Sequence, residues 1–302
     1  MRLCRFDAGD GASVGLVENG AVHDLGALGP SLLSDTAAAL AAGAERLTEI
    51  AARAPARALE EVTLLAPAQP RKFLGIGLNY ADHIAESGMD APHFPIFFNK
   101  QVTCVVGPDA GVHMPRVSSL LDYEGELAVV IGARCRQVPV DRAHEVIAGY
   151  TIANDVSVRD WQIRTPTMTL GKSFDTHGPL GPWLVTPDEI GDPHALGIRT
   201  YVNDELRQDG NTSEMIFDCF EQVAHLSEAF TLEPGDVIAT GTPAGVGAVR
   251  QPFPEGLLKV GDSVRVEIDR IGSLTNTVIE EPEGFVAEPT DAATACALSV
   301  LS

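Results

Sequence analysis

The stretch "DYEGELAVVIG" (residues 122–132) sets two carboxylates at the entrance to an apolar run. Glu124 and Glu126 are two positions apart, and on a strand that spacing puts both side chains on one face. Leu127, Val129 and Ile131 then point the other way, which is the signature of a strand buried in a sheet. Two carboxylates held side by side repel and are costly unless a cation lies between them. A second apolar run, "VIAGYTIAND" (146–155), ends on Asp155, where a strand would deliver a third acid to a sheet edge. Three oxygen donors with no histidine or cysteine nearby suit a hard divalent ion: Mg²⁺, Mn²⁺ or Ca²⁺. A solvated strand end accounts for the glutamate pair alone more readily than a metal does, and spacing cannot join Asp155 to it.

Outward from this pair the pattern stays strand-rich. "FLGIGLN" (73–79), "PIFFNK" (95–100), "TCVVGP" (103–108), "GPWLVTP" (181–187), "GIRTYVNDELRQDG" (197–210), "DVIATGTP" (236–243) and "DSVRVEIDRIGSLTNTV" (262–278) all read as strands between Gly and Pro breaks. One longer helix is predicted over 213–230, where apolar residues recur at helical spacing. Residues 1–68 read as a small α+β unit, with an Asn-Gly hairpin inside "VGLVENGAVHDL" (14–25) and an Ala-rich helical stretch over 34–60. "PAQPRKF" (67–73) makes a junction to a β-rich domain over 69–280, and 281–302 forms a tail. The predicted class is α+β and β-rich. A doubly wound parallel sheet needs alternating strand–helix units, and these are absent.

The chain has 302 residues, 45% hydrophobic and 21% charged, a globular composition. Nothing approaches the roughly 18 uninterrupted apolar residues of a membrane helix. The opening "MRLCRFDAGDGASVG" turns polar within six residues, so no secretory signal is expected. Five scattered cysteines without a Cys-x-x-Cys pair predict reduced thiols and a cytoplasmic protein. A formal net charge of −21, with no basic stripe, argues against nucleic acid as a partner.

"YADHIAE" (80–86) places His83 and Glu86 on one face of a short helix. Asn79 is expected to cap that helix and Gly88 to end it. Such a pair is either a surface ion pair or a general base whose carboxylate orients the imidazole. In "TLGKSFDTHGPLGPW" (169–183), Lys172 sits in a Gly-flexed loop, as a surface lysine or a cation for a substrate oxyanion. "ATGTPAGVG" (239–247) lacks the Lys-Ser/Thr of a phosphate loop, but its backbone N–H groups and Thr242 could meet an oxyanion.

Six motifs in order, "GLNYADHIAE", "DYEGELAVVIG", "AGYTIANDVSVRDWQ", "TLGKSFDTHGPLGPW", "VNDELRQDGNTSEMIF" and "LEPGDVIATGTPAGVG", strongly resemble the fumarylacetoacetate hydrolase family over residues 70–270. The likeness is to its branch of acylpyruvate hydrolases and 2-hydroxyhepta-2,4-diene-1,7-dioate isomerases. The resemblance implies a mixed β-roll or sandwich, usually a homodimer. It implies Glu124, Glu126 and Asp155 as ligands of Mg²⁺ or Mn²⁺. It further implies His83 and Glu86 as a water-activating dyad on a lid helix, and Lys172 as an active-site lysine. Gln162 matches a glutamine near the metal, Thr242 the residue that meets the substrate carboxylate, and Arg159 a structural position. The short N-terminal unit departs from the larger one of the eponymous enzyme.

The implied substrate is a small 2-oxo acid, which chelates a hard cation through its carboxylate and keto oxygens. Breaking its C3–C4 bond leaves a pyruvate enolate whose charge a metal stabilises. A ketone at C4 gives hydrolysis and a carboxylate gives decarboxylation, while loss of only a proton from C3 gives keto–enol isomerisation. The dyad favours hydrolysis of an acylpyruvate or another 2,4-dioxo acid. Oxaloacetate decarboxylase, dienedioate isomerase and non-catalytic ligand binder are the alternatives.

Overall fold

Strand Gly125–Ile131 pairs antiparallel with Ile147–Asn154, Gly125 lying opposite Asn154 and Glu126 opposite Ala153. All residues of both strands are buried, so the sheet is covered on its two faces. A computed structural model describes residues 1–9, 11–27 and 36–283. The start of the Ala-rich stretch, residues 284–302 of the predicted tail, and Cys296 lie outside the described residues.

Among the described residues the main sheet has twelve strands. From the central pair it runs one way through Val237–Ala239 and Phe73–Gly77 to Ile96–Lys100. The other way it runs through Gly178–Val185 to Arg2–Asp7, Ala12–Glu18, Ala21–Asp24 and Ala56–Ala58. The strands of the N-terminal 65 residues thus extend the same sheet by the register Arg2↔Val185 and Leu3↔Leu184. A second, five-stranded sheet orders Glu205–Asn211, Gly197–Val202, Ser263–Ile268, Gly272–Glu280 and Gly111–Met114. Most pairings are antiparallel, and the α+β, β-rich class holds.

The alternation read in 127–131 sorts the core. Leu127, Val129 and Ile131 pack with Ile198, Val266 and Leu274 of the second sheet and with Val223 and Leu226 of a helix. Ala128 and Val130 face the other way, onto Phe73, Leu180 and Val237. The Asn-Gly hairpin forms as expected, with Asn19 at φ 51° and Gly20 at φ 77°, as a tight two-residue turn requires.

Three local expectations change. The helix expected over 213–230 spans only Cys219–Ala229. Asp218 accepts from the backbone N–H groups of Phe220 and Glu221 while Glu221 reaches back to Asp218 N, a complete capping box that sets the start. The Ala-rich stretch breaks at Gly43 (φ 91°) into Thr36–Leu40 and Ala44–Ala51, then turns into strand Ala56–Ala58. Helix Ala81–Ser87 forms and ends at Gly88 in the left-handed region, but Tyr80, not Asn79, is its N-cap, and without a side-chain bond. The Asn79 amide is fully buried instead: it donates to the carbonyls of Phe217 and Thr240 and accepts from Phe217 N.

Cys4, Cys104, Cys135 and Cys219 are free, and burial pushes the Cys4 thiol up to about 12. No helix among the described residues is long and apolar enough to cross a membrane.

Candidate active site

The register of the central strand pair solves what spacing could not. With Gly125 opposite Asn154, the next residue, Asp155, falls beside Glu124, and its N–H donates to the Glu124 carbonyl at 2.8 Å. Oxygens of Glu124, Glu126 and Asp155 all lie within 4.8 Å of one another, and all three residues are buried. Lys172 is buried too, not a surface loop lysine; its Nζ donates to Glu124 Oε2 and to Asp155 Oδ2, both at 2.7 Å. Gly171 lets this loop in, because a Cβ there would collide with the backbone N of Gln162.

Three participants went unnoticed or were read differently from the sequence. Lys100, at the end of its strand, donates from Nζ to Asp155 Oδ1 at 2.6 Å and to the Lys172 carbonyl. Arg159, expected to be structural, lines the pocket and binds Asp122 at 2.7 Å, Glu124 at 2.7 Å and Gln162 Oε1 at 2.9 Å. Asp122 is buried and also accepts from the N–H groups of Gly247 and Ala248. Asp122 could have been noticed, since it shares the period-two face of Glu124 and Glu126. Nothing in the local sequence singles out Lys100 beyond the scarcity of lysine.

Four buried carboxylates thus face three cations, and Glu126 has no ion-pair partner among the described residues. Its Oε2 accepts only from Gly241 N, at 2.8 Å. Burial, and then Asp155 and Glu124 beside it, push Glu126 well above the usual carboxylate range. Burial also opposes charge on Glu124, but Lys172 and Arg159 outweigh it and hold that carboxyl well below its ordinary value. The excess negative charge and an all-oxygen donor set fit a divalent hard cation.

Breaking a buried pair leaves an uncompensated charge, which typically costs more than the pair itself contributes. Lys100→Met takes one of two ammonium groups from Asp155, which keeps Lys172, and is therefore expected to lower stability by about 1–3 kcal/mol. Urea unfolding checks this, and an unchanged midpoint would remove Lys100 from the network.

His83 Nδ1 and Glu86 Oε1 are 2.7 Å apart. The other Glu86 oxygen accepts from Gly245 N at 2.9 Å, and Asp82 Oδ2 accepts from Ala244 N at 3.1 Å. The loop expected to offer its N–H groups to a ligand oxyanion thus spends Gly241, Ala244, Gly245 and Gly247 on the chain's own carboxylates. Gly245, at φ 105°, is needed for that turn, since a Cβ would meet the Arg207 carbonyl. Thr242 Oγ1 donates to the Gly125 carbonyl and accepts from Gln208 Nε2, tying the loop to the glutamate strand.

A pocket of about 460 Å³ joins these parts, with His83, Glu124, Glu126, Gln162, Lys172 and Thr242 in its wall. Asp155 lies beneath the wall and Glu86 behind His83. The geometry therefore sets an imidazole held by a carboxylate, three crowded carboxyl groups and a buried ammonium around one cavity.

Residues 72–279 match the family model described as fumarylacetoacetate (FAA) hydrolase, C-terminal. The chain belongs to the fumarylacetoacetate hydrolase family. Residues 1–67 match a second model, described as Rv2993c-like, N-terminal. Among solved structures, fumarylacetoacetate hydrolase from Exiguobacterium antarcticum is 36% identical with a TM-score of 0.81. 5-Carboxymethyl-2-hydroxymuconate delta-isomerase from Mycobacterium smegmatis is 34% identical with a TM-score of 0.76. Maleylpyruvate hydrolase from Sphingobium sp. SYK-6, solved with manganese(II) and pyruvate, is 30% identical with a TM-score of 0.76. Each comparison covers 93% of this chain and 100% of the other. Its relatives in this family thus include both hydrolases and an isomerase, and a buried acidic triad able to hold a divalent metal is present here.

Proposed function

We propose that this chain hydrolyses the C3–C4 bond of an acylpyruvate or related 2,4-dioxo acid, with Glu124, Glu126 and Asp155 holding Mg²⁺ or Mn²⁺. The observation that carries the proposal is the His83–Glu86 pair set across one pocket from the acidic triad. Decarboxylation or isomerisation at the same triad has no use for an activated water. A divalent ion in the triad supplies Lewis-acid stabilisation of the negative charge that develops on a 2-oxo acid.

The protein's own groups do the rest. Glu86 holds the imidazole through Nδ1, which leaves Nε2 to take a proton from water. That water adds to the C4 ketone, and collapse of the tetrahedral adduct breaks the C3–C4 bond. A carboxylic acid leaves, the electron pair stays on the three-carbon fragment, and protonation at its C3 gives pyruvate. Lys172 places a fixed positive charge beside the triad, where it stabilises negative charge building on the substrate. Gln162 is assigned to the substrate carboxylate through Nε2, whose contact at 3.8 Å to the Met168 sulfur is weak and easily given up. Thr242 is assigned to the same carboxylate, by turning its hydroxyl proton away from the Gly125 carbonyl. The homodimer implied by the resemblance is also a proposal, for which sedimentation is the test.

Cation and proton compete for Glu126. Because burial and its neighbours favour the neutral carboxyl, Mn²⁺ uptake is expected to release a proton, and affinity to fall as pH is lowered. Titration calorimetry in two buffers of different ionisation enthalpy reads this directly. Heats independent of buffer would contradict it.

The reaction itself is tested with a panel of acylpyruvates, oxaloacetate and a 2-hydroxydienedioate, each with Mg²⁺ or Mn²⁺ and with EDTA. Acylpyruvates should turn over best, with chelation abolishing turnover. Turnover of the dienedioate alone would favour the isomerase.

A further inference from the structure

The wall of the pocket divides sharply in chemistry. Beyond the polar groups already placed, its side chains are mainly apolar, among them Ile76, Leu78, Met89, Phe98, Ile163 and Met168, with the uncharged hydroxyl of Thr165 the one further polar group. Ile163 is 84% exposed and Met89 57%, so apolar side chains stand open to water at this cavity. Leu78 (φ 53°) and Met168 (φ 57°) occupy the left-handed backbone region, which non-glycine residues adopt at a cost. Strain kept at two wall positions indicates a shaped surface rather than a chance one.

The cations of the wall are equally telling. Among the described residues that line it, only Arg159 and Lys172 carry a fixed positive charge. Arg159 is held between Asp122 and Glu124, and Lys172 between Glu124 and Asp155. Neither is left to meet a carboxylate at the far end of a substrate. An ionised group set against the apolar side chains would lose its hydration without a partner. The net charge of −21 adds a long-range field opposing a second negative charge.

We propose that the substrate's acyl group is uncharged and apolar, an alkyl or aryl chain, and that 2-oxo acids ending in a second carboxylate are rejected. This rests on the 2-oxo-acid assignment made above and adds to it the character of the far group. Met89 and Ile163 are then the side chains that a bound acyl group covers, and burying them contributes to specificity.

The test is calorimetric and needs no reaction. The full chain loaded with Mn²⁺ is titrated with 2-oxooctanoate and with 2-oxosuberate, which have equal length and differ in a terminal carboxylate. 2-Oxooctanoate is expected to bind at least about tenfold tighter, with affinity rising about fourfold per methylene from 2-oxobutanoate upward. Ile163→Arg, at an exposed position that tolerates charge, should narrow the preference about tenfold. Equal or tighter binding of 2-oxosuberate overturns the proposal, as does a preference unmoved in Ile163→Arg. Oxalate, which has no tail, separates the two levels. If oxalate binds and 2-oxooctanoate does not, the apolar wall is wrongly assigned; if neither binds, the 2-oxo-acid assignment itself fails.

Discussion

His83→Ala should slow C–C hydrolysis of an acylpyruvate by about 10²–10⁴-fold, the usual contribution of a positioned general base. Whatever oxaloacetate decarboxylation the wild type shows should fall much less, because Glu124, Glu126 and Asp155 are untouched and no water needs activating. Glu86→Gln should be a milder version. Glutamine can still accept from Gly245 N and keep the helix docked, while the imidazole loses its anionic partner. Equal loss of both reactions in His83→Ala would mean that the histidine serves a step common to both, such as protonating the enolate. No loss in either would make His83–Glu86 a simple surface ion pair.

Glu126→Gln should be the most damaging change that leaves the fold intact. The amide oxygen can still accept from Gly241 N, and a neutral amide replaces a carboxyl that burial, Asp155 and Glu124 already favour in its neutral form. The metal-free variant should therefore unfold no earlier in urea than the wild type. Its Mn²⁺ affinity should drop by on the order of 10²-fold or more, since changes even to groups that only hold a metal's ligands in place commonly cost about 10–100-fold. Turnover should drop with it. Wild-type affinity in Glu126→Gln would detach the triad from metal binding.

How far the chain announces this site depends on the range of each interaction. The glutamate pair and its strand are local, and period-two alternation carried them from residue pattern to observed core. The His83–Glu86 contact is equally local, one turn of helix. Asp155 reaches the pair through strand register, which no spacing rule encodes; the family motifs supplied it. Lys172 is a similar case. Its Gly-flexed loop left a surface lysine and a cation for an oxyanion both open, and the family motifs implied the site; the four-carbon stem runs inward to two carboxylates 17 and 48 positions away. Lys100 and Arg159 were missed as site residues for the same reason, since their partners Asp155 and Glu124 are 55 and 35 positions distant. Asn79 failed as a cap because its amide binds Phe217, 138 positions on. Local propensity had no access to that bond.

The most direct measurement of the central claim is product analysis of an acylpyruvate turned over in H₂¹⁸O with Mn²⁺. Hydrolysis by an activated water predicts equimolar pyruvate and carboxylic acid, with one ¹⁸O from solvent in the acid, and none of this after chelation. Isomerised substrate without pyruvate, or products formed at the same rate in EDTA, would contradict it.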